Sequence, residues 1–414
     1  MKFINLENNA KARRHQSIIK ESNIKQIFDL VFENEGISRI EISRITNLSR
    51  STVSLLMEEL MGAGLIRGTG ERASDFSGRK PIGLEINGDR AQIITLSLRK
   101  DNYRYILYDI RGRELEKFSS RIVYKKGCAA KIWKAVKSRS SRLDESRLLG
   151  VCVSIPAKIN KAEKSINLSI LDTDNNFDLL KELKSMRQEL PLTAVNQSSA
   201  RAYAEYKYIY NGKNGDMIYF NIDDGVGAGI MVNGRLFTGE IGHMSIDPKG
   251  PLCVCGKKGC LENLIRKTAV IREFAERSGG DKTGLLYALS GGRQGDINYR
   301  LIREALEQGD LKVLAAARDI AEKIALGISN VICMFDPEKI VVGGNILELG
   351  RTFLDMILSR VKIPGSSGKC LDASGQIAGS GIGDDAENLG VLRFFLDKVF
   401  TISVETENTV YLGD

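Results

Sequence analysis

Between Ser22 and Glu35 the sequence SNIKQIFDLVFENE places Ile24, Ile27, Phe28 and Val31 three or four positions apart, which predicts an amphipathic helix behind a serine cap. Ser38 and Glu41 follow in the spacing of a capping box, in which each side chain satisfies an amide at the start of the helix. A short second helix is expected there, carrying Ile40, Ile42 and Ile45 and stopping at Thr46-Asn47. The third, in RSTVSLLMEELMGAGLI, turns Val53, Leu56 and Leu60 inward, closes on Leu65, and leaves Arg50, Ser51, Thr52 and Ser54 at an exposed N-terminal end. Such an order is that of a helix-turn-helix, whose recognition helix presents its first turn to base edges in the major groove. The glycine-, serine- and arginine-rich stretch RGTGERASDFSGRKP lies between two strand-like runs and reads as a wing. Arg79 and Lys80 at its tip suit the minor groove, where the potential attracts basic side chains. A generic three-helix interaction module is the alternative reading of the same pattern.

From Ala91 the period changes. AQIITLSL, YRYILYDI, KFSSRIVY and LLGVCVSI alternate or run apolar, helical spacing follows in KELKSMRQEL and SSARAYAEYKYI, and MIYFNI, GAGIMV and KIVVGG continue the strands. The expectation is an α/β body of mixed sheets covered by helices. Trp133 and the tyrosines of AYAEYKYIY fall at helical spacing and belong to a core or subunit interface rather than to a base-stacking platform.

Composition changes this picture little. A chain of 414 residues with 43% hydrophobic and 27% charged positions is an ordinary globular protein of two or three domains. No apolar run reaches membrane-spanning length and no signal peptide is visible, so a cytoplasmic location without membrane insertion is expected. The net charge of +8 only hints at an anionic partner; the basic clusters KARR at Lys11 to Arg14 and GRK at Gly78 to Lys80 locate it near the head.

Cysteine usage says more. The stretch GPLCVCGKKGCLE holds Cys253, Cys255 and Cys260, three of seven cysteines, and His243, one of two histidines, lies ten residues before the first of them. Thiolate sulfur and imidazole nitrogen are the ligands zinc prefers, and four protein ligands close the shell against water, so the set suits one structural Zn2+ ion. Gly256 and Gly259 would let the chain turn around it. Free buried thiols, or a disulfide in an exported protein, are the other readings. The remaining cysteines, Cys128, Cys152, Cys333 and Cys370, are scattered, and His15 sits in the basic lead.

These segments resemble the ROK family, named for repressors, open reading frames and sugar kinases. GEIGHMSIDPKGPLCVCGKKGCLE follows the family's ExGH and CxCGxxGCxE signatures, and ISRIEISRITNLSRSTVS with SGRKP is similar to the winged helix of its regulators. The resemblance spans about Asn23 to about Asp397 and implies an α/β chain of three parts. A winged helix-turn-helix in residues 1–83 would precede a two-lobed actin-like, sugar-kinase (ribonuclease H-like) ATPase fold, with lobes at 84–195 and 196–414. The second lobe would carry the zinc, and the C-terminal helix could return to the first.

The resemblance also implies a ligand site in the cleft between lobes, with sugar contacts at Asn196, Glu240, His243 and Glu262. His243 would turn one ring nitrogen to the metal and the other to the ligand. A kinase further needs a carboxylate base, but in VNQSSARAYAE the position belongs to Gln197, which cannot accept a proton at neutral pH. The first phosphate turn has become Ser97 to Asp101, with Arg99 where glycine is usual, while DDGVGAGI at Asp223 to Ile230 keeps the family form. The expected function is a non-enzymatic regulator, a repressor of carbohydrate uptake or catabolism genes that binds palindromic operator DNA as a homodimer or homotetramer under control of a sugar or sugar phosphate. Gln197, Ala157 after Pro156, and the short run before ExGH leave other readings open: an ATP-dependent sugar kinase with an appended head, or a regulator with a degenerate pocket that is constitutive or controlled by a protein such as a transport component.

Overall fold

The computed structural model describes residues 4–71, 82–157, 159–160, 165–166, 179–185, 190–212, 215–277, 283–364, 370–372, 375–399 and 410–412. The chain divides into two compact units, one of residues 1–194 with 391–412, the other of residues 195–390 with the last two residues.

The first unit opens with helix α1 (Ile4–Glu33), which runs through Ser22 instead of starting there. Serine and asparagine are only mildly unfavourable inside a helix, and no glycine or proline interrupts the chain between them and its start. A short strand β1 (Ile37–Ser38) leads into α2 (Arg39–Thr46), and the capping box forms: Ser38 Oγ accepts from the Glu41 amide at 3.3 Å, and Glu41 Oε2 accepts from the Ser38 amide at 2.7 Å. Ser38→Ala removes one of these bonds at an intact helix start and is expected to lower stability by about 1 kcal/mol in urea denaturation. α2 ends at Asn47, whose φ of 56° gives the left-handed turn before α3 (Arg50–Gly62). Ile27, Phe28 and Val31 of α1 meet Ile42, Val53, Met57 and Leu60 in one buried core. Leu65 is only half-buried, and Ile40 and Ile45 are exposed.

Strands β2 (Ile66–Glu71) and β3 (Ile82–Ile86) pair antiparallel, with an irregularity between Gly68 and Gly70, and β3 also pairs with β1, completing the wing sheet. The wing tip, with Arg79 and Lys80, lies outside the described residues, as do the side chains of Lys11 to Arg14 and of His15.

The rest of this unit is a mixed sheet built on β4 (Gln92–Leu98), β5 (Asn102–Asp109), β6 (Glu114–Arg121) and β7 (Leu148–Ile155). β4 runs antiparallel to β5 and parallel to β7, and the order continues through β10 (Leu192–Asn196) to Val410–Leu412; β8 (Ile159–Asn160) and β9 (Ser165–Ile166) form a separate ribbon. Helix α4 (Cys128–Arg139) buries Cys128, Ala129, Ile132 and Val136 in the core beneath this sheet, to which α5 (Leu179–Lys184) adds three leucines. Trp133 is half-buried against the same core.

The helix Ala386–Val399 enters this unit at Val391 and meets α1 through charge. The Arg393 side chain is 2% exposed; its guanidinium donates to Asp29 at 2.6 Å and to Asp397 at 3.1 Å and lies 5.0 Å from the centre of the Phe32 ring. Lys25 bridges the same two carboxylates at 2.6 and 2.9 Å. A buried guanidinium is tolerated only with such partners, so this cluster fixes α1 against the C-terminal helix.

In the second unit α6 (Gln197–Ala204) continues into a wider π-type turn at Glu205–Ile209. Strands β11 (Met217–Ile222), β12 (Val226–Val232) and β13 (Arg235–Gly239) form an antiparallel meander, and β14 (Lys339–Gly343) and Ile377–Gly379 extend it in parallel with β11. The helices covering it are α7 (Leu261–Ile265), α8 (Lys267–Arg277), α9 (Leu285–Leu289), α10 (Tyr299–Glu307), α11 (Leu311–Phe335) and α12 (Arg351–Leu358), none of them singled out in the sequence reading. Ile320, Ile324, Ile328 and Val331 of α11 are wholly buried. Tyr203 and Tyr206 are also buried, in keeping with the core alternative of the core or subunit-interface role expected of them. Gly390 touches α6 so closely that a Cβ there would stand 1.7 Å from the Ala200 carbonyl oxygen.

Candidate functional site

The recognition helix is built so that its N-terminus faces outward. Ser49 caps it, its hydroxyl accepting from the Thr52 amide at 3.1 Å and lying 2.8 Å from the hydroxyls of both Ser51 and Thr52. Arg50 and Ser51 are exposed, while Thr52 and Ser54 are half-buried. Leu55, one turn beyond Ser51 and 64% exposed, was missed in the sequence reading. The signal was present: the inward stripe is Val53, Leu56, Met57 and Leu60, and Leu55 lies off it.

In the second unit the residues of the cysteine-rich segment converge. His243, Cys253, Cys255 and Cys260 offer ligand atoms that all lie within 4.8 Å of one another. His243 Nδ1 is 3.6 Å from Cys253 Sγ, and Cys255 Sγ is 3.5 Å from Cys260 Sγ. Backbone bonds fold the loop, with the Cys253 amide donating to Lys257 at 2.8 Å and the Gly259 amide to Pro251 at 2.9 Å. Gly259 has φ of 63°, and a Cβ on it would stand 1.6 Å from the Asp247 carbonyl oxygen, so only glycine fits. Burial, then the neighbouring thiols, push the Cys260 thiol up to about 12. The four residues form a candidate metal-binding cluster.

The other ring nitrogen of His243, Nε2, lies 4.0 Å from Glu240 Oε2. Glu262, on α7 just after Cys260, accepts from the Val226 amide at 3.0 Å, beside the glycine turn that opens β12. A Cβ on Gly242 would meet the Val226 carbonyl oxygen at 2.2 Å and Glu262 Cβ at 3.3 Å, so the His243 turn packs directly on this strand. Asn196 stands at the head of α6, its Oδ1 accepting from the amides of Ser198 at 2.9 Å and Ser199 at 3.4 Å. Ser198 in turn packs on Gly227 of β12. Asn196, Glu240, His243 and Glu262 are thus all carried by elements packed around β12. Asn196→Ala is expected to cost about 1 kcal/mol through the lost cap alone, read by thermal denaturation, before any effect on a ligand.

The kinase-like positions are otherwise engaged. Gln197 Nε2 donates to Glu387 at 3.3 Å. Arg201, buried among alanines and serines, bonds Asn221 Oδ1 at 3.2 Å and pairs with Asp223 at 3.3 Å and Glu387 at 3.5 Å. The glycine turn also carries the carboxylates of Asp223 and Asp224, the first of them paired with Arg201. The sequence reading assigned Arg201 no role; a lone arginine inside an alanine-rich helix was the overlooked signal.

A winged helix-turn-helix joined to an α/β body with this cluster defines a DNA-binding transcriptional regulator rather than an enzyme. Residues 100–397 match the model of the ROK family and residues 21–67 that of the winged helix-turn-helix DNA-binding domain, so the chain belongs to the ROK family. It is similar to the xylose repressor of Bacillus subtilis (strain 168), 27% identical over 407 residues that cover 93% of this chain and 98% of that one. It is also similar to the DNA-binding transcriptional dual regulator NagC of Escherichia coli (strain K12), 24% identical over 359 residues, covering 83% and 85%. The fold is shared with a ROK family transcriptional regulator described as a homologue of the E. coli MLC protein, at a TM-score of 0.75, 22% identity, and coverage of 93% and 97%. The body alone shares its fold with a ROK family glucokinase from Streptomyces griseus, at a TM-score of 0.62, 23% identity, and coverage of 73% and 99%. Among the described residues no helix is long and apolar enough to cross a membrane.

Proposed function

We propose that the protein represses carbohydrate uptake or catabolism genes in the cytoplasm, binding a palindromic operator as a homodimer or homotetramer under control of a sugar or sugar phosphate. Three parts serve this: a head of about residues 1–83, and lobes at about 84–195 and 196–414. The outward N-terminal turn of α3 carries the reading. Arg50, Ser51, Thr52 and Ser54 contact base edges, Leu55 meets a thymine methyl, and Arg79 and Lys80 reach the minor groove. The relatives named as xylose and N-acetylglucosamine repressors support the regulatory role and the class of effector.

His243, Cys253, Cys255 and Cys260 hold one structural Zn2+ ion. Zn–S bonds of about 2.3 Å place tetrahedral ligand atoms nearly 4 Å apart, and the observed separations suit that shell. The ion fixes the ring of His243 through Nδ1, leaving Nε2 beside Glu240, and these two with Asn196 and Glu262 bind adjacent hydroxyls of the effector.

Selection of DNA from a randomised duplex pool, followed by fluorescence anisotropy, tests the first part. Enrichment of an inverted repeat, binding that weakens steeply with salt, and a loss of about ten-fold or more in Arg50→Ala are expected. Absence of any enriched sequence overturns the reading. Thermal shift with xylose, N-acetylglucosamine and their phosphates tests the second; a ligand that binds only the folded state raises its stability.

A further inference from the structure

The turn Gly88–Arg90 joins the last wing strand, β3, to β4, and beside it lies a polar hollow of about 330 Å³ within the first unit. Its walls include Gly88, Asp89, Asp109, Arg113, Arg142 and Arg147, three guanidiniums and two carboxylates. Nothing in the DNA-reading or effector roles described above uses them.

The arginines are held in different ways. Arg113 Nε pairs with Asp109 at 2.9 Å, and Asp109 also accepts from the Arg111 and Arg113 amides, so that carboxylate is fully engaged. Arg147 is anchored by Asp144 at 3.0 Å and by the Asp89 carbonyl oxygen at 2.9 Å. Arg142 has its backbone fixed on both sides, its carbonyl accepting from the buried Gln92 at 2.9 Å and its amide donating to Glu116 at 3.4 Å. Its guanidinium has no partner among the described residues. Asp89 is 79% exposed, and its carboxylate lies 3.5 Å from Arg67.

We propose that this hollow binds a phosphate ester of a small polyol or sugar, a site separate from the effector residues around β12. Guanidiniums match the fork of phosphate oxygens, and the exposed Asp89 carboxylate accepts from hydroxyls, so a wall that mixes both fits a molecule carrying both groups. The hollow is of ligand-binding size. Gly88 contributes by having no side chain: a Cβ there would stand 2.7 Å from Asp109 Oδ2 and 3.0 Å from Arg113 Nη2. The ligand would bridge the body sheet to the turn that carries the head. That turn is itself tied to the recognition helix, since Arg90 Nε donates to the Ala63 carbonyl at 2.8 Å, immediately after α3.

Isothermal titration of the full-length protein with glucose 6-phosphate, glycerol 3-phosphate, inorganic phosphate and glucose tests the proposal, with Arg142→Gln and Asn196→Ala alongside. Both phosphate esters are expected to bind saturably at this site, tighter than inorganic phosphate, with affinity reduced about ten-fold or more in Arg142→Gln, whose melting temperature stays unchanged. In Asn196→Ala this binding persists, which separates it from the effector residues around β12; its persistence holds even where glucose gives no heat and the effector reading fails. Saturable heat of equal strength in Arg142→Gln overturns the proposal, as does none for any phosphate. It falls also where Arg142→Gln weakens only duplex DNA binding, since the arginines then contact the nucleic-acid backbone.

Discussion

Arg393→Met is expected to lower the stability of the first unit by about 3–5 kcal/mol. The substitution keeps much of the side chain's length but gives up the contact of the guanidinium with the Phe32 ring. Also lost is the charge that neutralises Asp29 and Asp397, leaving Lys25 as the remaining cation between them. Asp397 is 9% exposed and Asp29 24%, so water relieves the stranded charges only in part. Removing one partner of a buried pair strands the other, whereas replacing the whole group by apolar residues is far milder. A triple variant, Arg393→Met with Asp29→Leu and Asp397→Leu, is therefore expected to recover most of the loss. Trp133, the single tryptophan, lies in this unit and reports its urea transition by fluorescence. A loss below about 1 kcal/mol for Arg393→Met, similar to an exposed ion pair, would show that the cluster does not anchor the helix.

Cys260→Ser and Gly259→Ala are expected to produce the same second defect by different routes. The first removes a ligand; the second keeps all four and obstructs the loop, since φ of 63° and the 1.6 Å approach to the Asp247 carbonyl exclude a side chain. Structural zinc contributes folding free energy directly, on the order of 10 kcal/mol in small peptides, so its loss should unfold the segment from Glu240 to Glu262. Metal analysis should find one equivalent in the wild type and well under one in both variants, with fast amide exchange confined to that segment. Any response to a sugar should disappear with it, because His243 and Glu240 lose their fixed orientation. Full zinc occupancy in Cys260→Ser, with exchange unchanged, would remove the ion from the account.

These two predictions rest on very different visibility in the chain. The metal cluster is written within eighteen residues, and the chemistry of cysteine and histidine names the ligand class before any fold is known. The head was readable for a similar reason: a capping box and an inward stripe three or four residues apart describe neighbours on one helix. The Arg393 cluster, by contrast, joins residues 364 positions apart, and nothing in the segment around either suggests the other.

Local spacing thus determined the helix-turn-helix, the alternation of strands in both sheets and the cysteine-histidine set, because short-range geometry decides each. It failed where a helix carried no break at the expected start, as at Ser22, and it gave no role to Arg201, whose carboxylate partners lie far away in the chain. Only the tertiary structure placed Arg142 beside Arg113 and Arg147, laid Gly390 on Ala200, and brought Glu262 to the amide of Val226. Those contacts depend on how sheets and helices stack, and stacking is chosen by the packing of the whole unit rather than by the residues that meet.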